Sequence, residues 1–298
     1  MQQLSCSTIP INLRSMVTIT FIRHGQSEDN CRDVWAGWKD APLSALGKRI
    51  VTHVPQQAKA LGEALSSDTK FTHIYASDLL RAHDTGKAVH ARQPEPQPPF
   101  TVTELIREQH FGEAEGNKWS TSIPSEKTRT ELYNEGVYPV FEHRHEKFPG
   151  GESLDDLRAR AYKALEKCVF PHLDEDDGHI AIASHGLCIS ELMSALVRLD
   201  PKADQSISYR GLLNTAWARV KVKRREGETR EDGHPVLEVI VNHVNEAPHL
   251  QGIQEDTVEV PAERSSEAQA FFGGDTTATQ ASNARVDIQP ESDSESKL

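Results

Sequence analysis

The chain of 298 residues, 37% of them hydrophobic, can fill the core of one large or two ordinary domains. Its formal net charge of −12 argues against nucleic-acid binding, and residues 246–298 hold most of it, with 11 acids against three bases. No stretch nears the roughly 18 uncharged apolar residues of a membrane helix, and the four cysteines, widely spaced, read as reduced thiols.

Residues 1–15 carry one Arg and no acid but lack the continuous apolar run of a secretory signal, so they read as a flexible N-terminus. The first strand is expected at residues 17–22 (VTITFI), followed by a helix from about Ser44 to Leu65, a strand at 73–77 (HIYAS) and a helix from about Asp78 to Arg92. Such alternation implies crossover connections and an α/β fold, a three-layer sandwich with a largely parallel central sheet and helices on both faces. A short strand at Phe100–Thr103 comes next. Residues from Gly112 to Pro149 have no clean period but hold Trp119, Tyr133, Tyr138, Phe141 and Phe148, and a segment this long reads as a lid or substrate loop, about 112–150.

A helix from about Ser153 to Cys168 opens with an acid-rich turn suited to the helix dipole. Residues 179–184 (HIAIAS) read as a buried strand and Gly186 to Leu199 as a helix. Two more strands, Thr215–Val222 and Val236–Val244, are expected with the charged loop 223–234 between them. From 246 onward the chain is rich in Ser, Thr, Ala, Gln and Glu with no core-forming period. The expected organisation is therefore a single folded domain at 16–245 with a disordered acidic tail at 246–298, which could dock a basic protein partner.

Three of the expected strands run into basic residues: Arg23 and His24 after the first, Arg81 one helical turn beyond the second, and His185 after 179–184. In an open α/β sheet ligands bind beyond the carboxyl ends of the strands, so these groups can converge into an anion site. The following helices point their N-termini at the same edge, which favours phosphate. His143 and His145 have a spacing that a metal could use, but with no third ligand evident they read as lid surface and no metal site is assigned. Cys31 and Cys188 lie near these motifs and read as packing residues.

The motifs themselves are Arg23-His24-Gly25-Gln26-Ser27-Glu28-Asp29-Asn30, Ser77-Asp78-Leu79-Leu80-Arg81-Ala82, Leu105-Ile106-Arg107-Glu108-Gln109-His110-Phe111-Gly112 and Ser184-His185-Gly186. Occurring in this order, they make the chain from about Met16 to Asn245 resemble the histidine phosphatase superfamily, the phosphoglycerate-mutase-like proteins. The resemblance implies that His24 attacks phosphorus to form a phosphohistidine, and that Arg23, Arg81 and His185, with Asn30 and Gly186, surround the non-bridging oxygens. It also implies that Glu108 serves as acid and then base, with no metal and no cofactor.

The superfamily contains both mutases and phosphatases. The mutases resembled carry Arg directly after the catalytic Glu and a later Arg pair, whereas here Gln109 follows Glu108 and only the isolated Arg129 and Arg144 lie between Gly112 and Gly151. A phosphatase acting on a small phosphate ester is therefore expected, in the cytoplasm or nucleus. The run from Leu105 to Gly116 is also similar to fungal phosphatase-type members, including a histidine-phosphatase domain in a subunit of an RNA polymerase III transcription factor. That likeness keeps open an interaction subunit of low activity, beside a phosphoglycerate-mutase-like phosphotransferase.

Overall fold

The computed structural model describes residues 16–32, 34–48, 61, 65 and 70–250. Among them a six-stranded sheet runs in the order β3-β2-β6-β1-β7-β8, formed by β1 (Val17–Arg23), β2 (His73–Ser77), β3 (Phe100–Thr103), β6 (His179–Ser184), β7 (Trp217–Thr229) and β8 (Pro235–Glu246). The first four strands are parallel and β7 and β8 join antiparallel at one edge.

Side-chain alternation along the central strands builds two separate cores. Val17, Ile19 and Phe21 of β1, Tyr75 of β2, and Ile180 and Ile182 of β6 pack in one cluster with α4 (Leu154–Cys168) and α5 (Gly186–Arg198). The intervening residues Ile22, Ile74 and Ala181 pack in the other, with Val89 of α2 (Leu80–His90) and with Leu61 and Leu65. Residues one apart on a strand face opposite sides, so both faces are covered, as three layers require. At roughly 2 kcal/mol for each large buried side chain, these two cores are the main source of stability.

The expected helix from Ser44 shows its first turn as α1 (Ala45–Lys48), where the Ser44 hydroxyl accepts the Gly47 N–H. Apart from Leu61 and Leu65, its remainder lies outside the described residues, as does the expected flexible segment 1–15. Helix α4 is N-capped by Ser153, whose hydroxyl takes the Asp156 N–H while Asp156 returns a bond to the Ser153 N–H.

Two expectations change. The segment expected as an irregular lid carries its own structure: β4 (Lys118–Ser120) pairs parallel with β5 (Val137–Pro139), with the capped helix α3 (Arg129–Asn134) between them. Its aromatics face inward. Tyr133 stacks on Tyr138 at 4.5 Å, Phe148 meets Tyr138, Phe141 and Trp35, and the Trp35 indole donates to Tyr138 O at 2.8 Å. These rings are packing, not a free stacking platform.

The hairpin also differs, since β7 and β8 continue well into the charged loop and leave a turn near 230–234. Alternating charged side chains are tolerated on strands at a sheet edge, where one side faces water. At the far end, β8 runs to Glu246 and a 3₁₀ turn at Pro248–Leu250 buries His249 against Thr215, so ordered chain continues past Asn245. Residues 251–298 lie outside the described residues. Among the described residues no helix is long and apolar enough to cross a membrane.

Candidate active site

Four chain segments meet at the carboxyl edge of the parallel strands. β1 and β6 end level, Arg23 opposite Ser184, and the His24 N–H donates to Ser184 O at 3.0 Å. The Ser184 hydroxyl in turn donates to Ile106 O at 2.7 Å, which ties the segment carrying Glu108 to the same edge. Ser77 at the end of β2 shares a hydrogen bond of 2.9 Å with Nε2 of His185.

His24 is buried, and its Nδ1–H donates to Gly25 O at 2.6 Å. Because a carbonyl can only accept, the ring proton sits on Nδ1 and Nε2 keeps its lone pair. Arg81 Nε points at that nitrogen from 3.3 Å. Burial first, and then the charges of Arg81 and Arg23, hold the His24 pKa well below 6.5, so the ring is neutral at pH 7. His185 is fully buried with its ring centroid 5.1 Å from that of His24, and burial followed by Arg81 and His24 lowers its pKa in the same way.

The two guanidiniums are held by backbone carbonyls, which fix them without cancelling their charge. Arg81, 1% exposed, donates through Nη2 to Gly37 O (2.8 Å) and Ala36 O (3.3 Å) and through Nη1 to Lys39 O (3.4 Å). Arg23 donates through Nη1 to Leu212 O, and a Cβ on Gly186 would stand 3.5 Å from its Nε. Burial lowers the Arg23 pKa to about 10 against the opposing pull of Glu108, and it lowers that of Arg81 likewise. Both stay cationic at neutral pH. Arg23 Nε and His185 Nδ1 are buried with no hydrogen-bond partner among the described residues. Two donor-capable nitrogens left this way mark a place for an oxygen-rich ligand.

Glu108 lies against the N-terminus of α5. Its Oε1 accepts the N–H groups of Gln109 (2.9 Å) and Cys188 (3.1 Å), and its Oε2 accepts that of Leu187 (3.2 Å). Asn30, more exposed, accepts through Oδ1 from Ser27 N–H at 3.0 Å and from Asn214 Nδ2 at 3.4 Å. Arg23, His24, Arg81, Glu108, His185 and Gly186 thus come together, with Asn30 at their margin. Arg81 does not pair with Asp78, which is held bidentately by Arg107.

His143 and His145 stack on each other, exposed, at 5.7 Å and belong to no three-ligand cluster among the described residues. Burial pushes the Cys188 thiol up to about 12, which makes it an inert packing group. Cys31 is exposed, and its thiol is raised too, by partial burial and then by Glu28.

Several further residues support the site. Thr85 accepts the Gly25 N–H at 3.1 Å and donates to Arg81 O at 2.7 Å, linking the loop after β1 to α2. Asn214 Nδ2 and the Thr215 N–H both donate to His24 O, at 3.1 and 3.2 Å. Glu115 accepts the N–H groups of Trp38 (2.7 Å), Lys39 (2.7 Å) and Phe111 (3.1 Å), while the Trp38 indole donates to Glu108 O at 2.7 Å. The loop that holds Arg81 is thereby fastened to the segment that carries Glu108.

Residues 19–232 match the family model described as the histidine phosphatase superfamily, branch 1. A 2,3-bisphosphoglycerate-dependent phosphoglycerate mutase from Gloeobacter violaceus is 28% identical over 194 residues, 64% of this chain and 81% of that protein. Its counterpart from Bradyrhizobium sp. is 29% identical over 184 residues, 62% of this chain and 83% of that one. Among solved structures, a mycobacterial glucosyl-3-phosphoglycerate phosphatase superposes with a TM-score of 0.56 at 24% identity, covering 78% of this chain and 100% of its own. A phosphoglycerate mutase from Bacillus anthracis superposes with a TM-score of 0.52 at 22% identity, covering 76% and 93%. At these identities the superpositions speak for the fold. All four proteins are bacterial, which leaves the likeness to fungal members resting on the run from Leu105 to Gly116.

Proposed function

The chain belongs to the histidine phosphatase superfamily, and from that premise we propose that it hydrolyses phosphate monoesters through a phosphohistidine on Nε2 of His24. The observation that carries this reading is the neutral His24 ring, with its proton committed to Gly25 O and its lone pair directed into a cluster of fixed guanidiniums.

In the first step the Nε2 lone pair bonds to phosphorus as the ester P–O bond breaks. Arg23, Arg81 and the buried Nδ1 of His185 face the non-bridging oxygens, where they offset charge that builds in the transition state. Glu108 donates its proton to the departing alkoxide. Its Oε2 accepts a single amide and so keeps a lone pair that can carry that proton. In the second step the Glu108 carboxylate takes a proton from water as the water oxygen bonds to phosphorus. The N–P bond breaks and neutral His24 is restored. Fixed cations stabilise the transferring group, so a chelator should leave the rate unchanged.

Hydrolysis is favoured over mutase chemistry because the cations that could retain a phosphoglycerate intermediate are engaged elsewhere. Arg144 forks onto Glu191 at 2.8 and 2.9 Å and also reaches Asp155, and Arg129 lies over the Phe141 ring at 4.7 Å. Gln109, where the mutases resembled have Arg, is buried and donates to Glu152 O. A weakly held intermediate departs before it can be rephosphorylated.

The test is rapid acid quench with a phosphate ester. The native protein should trap an acid-labile, base-stable phosphoprotein that His24→Ala lacks, with phosphate release down by at least ~10³-fold in the variant. Unchanged turnover in His24→Ala would falsify the nucleophile, and interconversion of 2- and 3-phosphoglycerate outpacing phosphate release would replace phosphatase by mutase.

A further inference from the structure

The amino edge of the sheet, opposite the site described above, carries a second cluster of polar side chains that the proposed reaction does not use. His73 opens β2, His172 ends the 3₁₀ segment Phe170–His172 that follows α4, and Glu175 lies three residues further on. One ligand atom from each of the three lies within 4.8 Å of the other two. Among the described residues no other such group of His, Cys, Asp and Glu side chains occurs.

We propose that His73, His172 and Glu175 bind one divalent transition-metal ion, with Zn²⁺ the best fit to two imidazoles and a carboxylate. Glu175 spans the two rings, with Oε1 2.7 Å from His172 Nδ1 and Oε2 4.0 Å from His73 Nδ1. Tetrahedral zinc at ~2.0–2.1 Å from each donor sets ligand atoms ~3.3 Å apart, so shifts of under about 1 Å bring the three into place. On binding, the His172 ring proton moves from Nδ1 to Nε2 by exchange with solvent, the ring stays neutral, and the cation takes the vacated place against Oε1.

Two features of the surroundings suit a cation. His73 Nδ1 is buried without a hydrogen-bond partner, and a metal would satisfy it. His172 Nε2, the nitrogen away from the carboxylate, meets the Tyr75 hydroxyl at 2.8 Å, which fixes the ring with Nδ1 directed at the cluster. An outer hydrogen bond of this kind is what metal-ligating histidines ordinarily have. His73 and Glu175 are each about one-third exposed, 29% and 34%, which gives the ion a path from solvent and room for a water ligand.

The experiment uses the tag-free full chain, stripped with a chelator and then dialysed against micromolar Zn²⁺. Native protein and His24→Ala should each retain about one zinc per chain, whereas His73→Gln and Glu175→Gln should retain none and still hydrolyse phosphate esters at the native rate. Added Zn²⁺ should raise the native melting temperature by at least ~2 °C, and Co²⁺ should give the visible bands of a four-coordinate site. Native protein that retains no zinc and shows no shift overturns the proposal, as does zinc retained equally by both variants. The native-protein measurements decide the matter even if a variant fails to fold.

Discussion

At the scale of single residues, the arrangement divides the work between charge that never changes and protons that do. In the proposed cycle Arg23 and Arg81 would hold their charge throughout, because backbone carbonyls, not acids, fix them. Glu108 alone would move protons, and that separates the two half-reactions experimentally. A nitrophenolate leaves without protonation, but water cannot attack efficiently without a base. With an aryl phosphate, Glu108→Gln should therefore release a burst of about one nitrophenolate per chain, accumulate phosphohistidine, and then turn over ~10²-fold or more slowly. Native steady-state turnover in this variant would sink the assignment. The principal members of the cluster were legible from sequence because each is a charged or ionisable group at the end of an apolar run. Asn214 and Glu115 were not. Each acts through hydrogen bonds to chain that lies many residues away, and neither period nor local composition announces such a partner.

At the scale of elements, β2 and β6 stand where their apolar patterns place them, because buried central strands leave few alternative registers. The three-residue strands β4 and β5 escaped that reading, as they are too short to display a period. So did the turn before β7. Thr215 there adopts φ 63°, a left-handed backbone that costs a β-branched residue energy, and its N–H holds the carbonyl of His24. Its hydroxyl donates to Asn214 O at 2.6 Å and so accepts from His249 Nε2 at 2.9 Å. The 3₁₀ turn after β8 is thus a strut beneath His24. Removing it in His249→Ala should cost about 1 kcal/mol, lower the melting temperature by ~2–4 °C and slow phosphate release. A chain ending at Leu250 should behave as the full protein does. Equal behaviour of His249→Ala and the native chain, in melting and in rate, would refute the strut.

For the whole molecule, alternating strands and helices foretold two covered faces and one reactive edge, since a parallel sheet can be connected in few other ways. What that pattern could not foretell is how many imidazoles the fold would hold neutral. His24, His185 and His249 are all buried, and burial is the largest cause of each lowered pKa, with His249 at about 4 and the partly buried His179 at about 3. A folded-state pKa below the unfolded value of about 6.5 means that the unfolded chain takes up protons first as pH falls. Stability is then complete above pH ~6.5 and declines below it, towards the folded values near 4 and 3. Below 6.5 each buried ring forfeits stability as the unfolded ring takes up a proton that the folded ring does not, at roughly 1 kcal/mol for each pH unit. Together these rings remove on the order of a few kcal/mol by pH 5.5, out of a total that is ordinarily ~5–15 kcal/mol. Asp156, held at about 2 by Lys147 and its capping bonds to Ser153, adds to the loss in the same direction, but only below about pH 4, where the unfolded carboxylate takes up a proton first. The melting temperature at pH 5.5 should consequently lie ~8 °C or more below that at pH 7.5. A flat profile across that interval would mean that these rings are protonated in the folded protein, and with His24 among them the neutral nucleophile would go too.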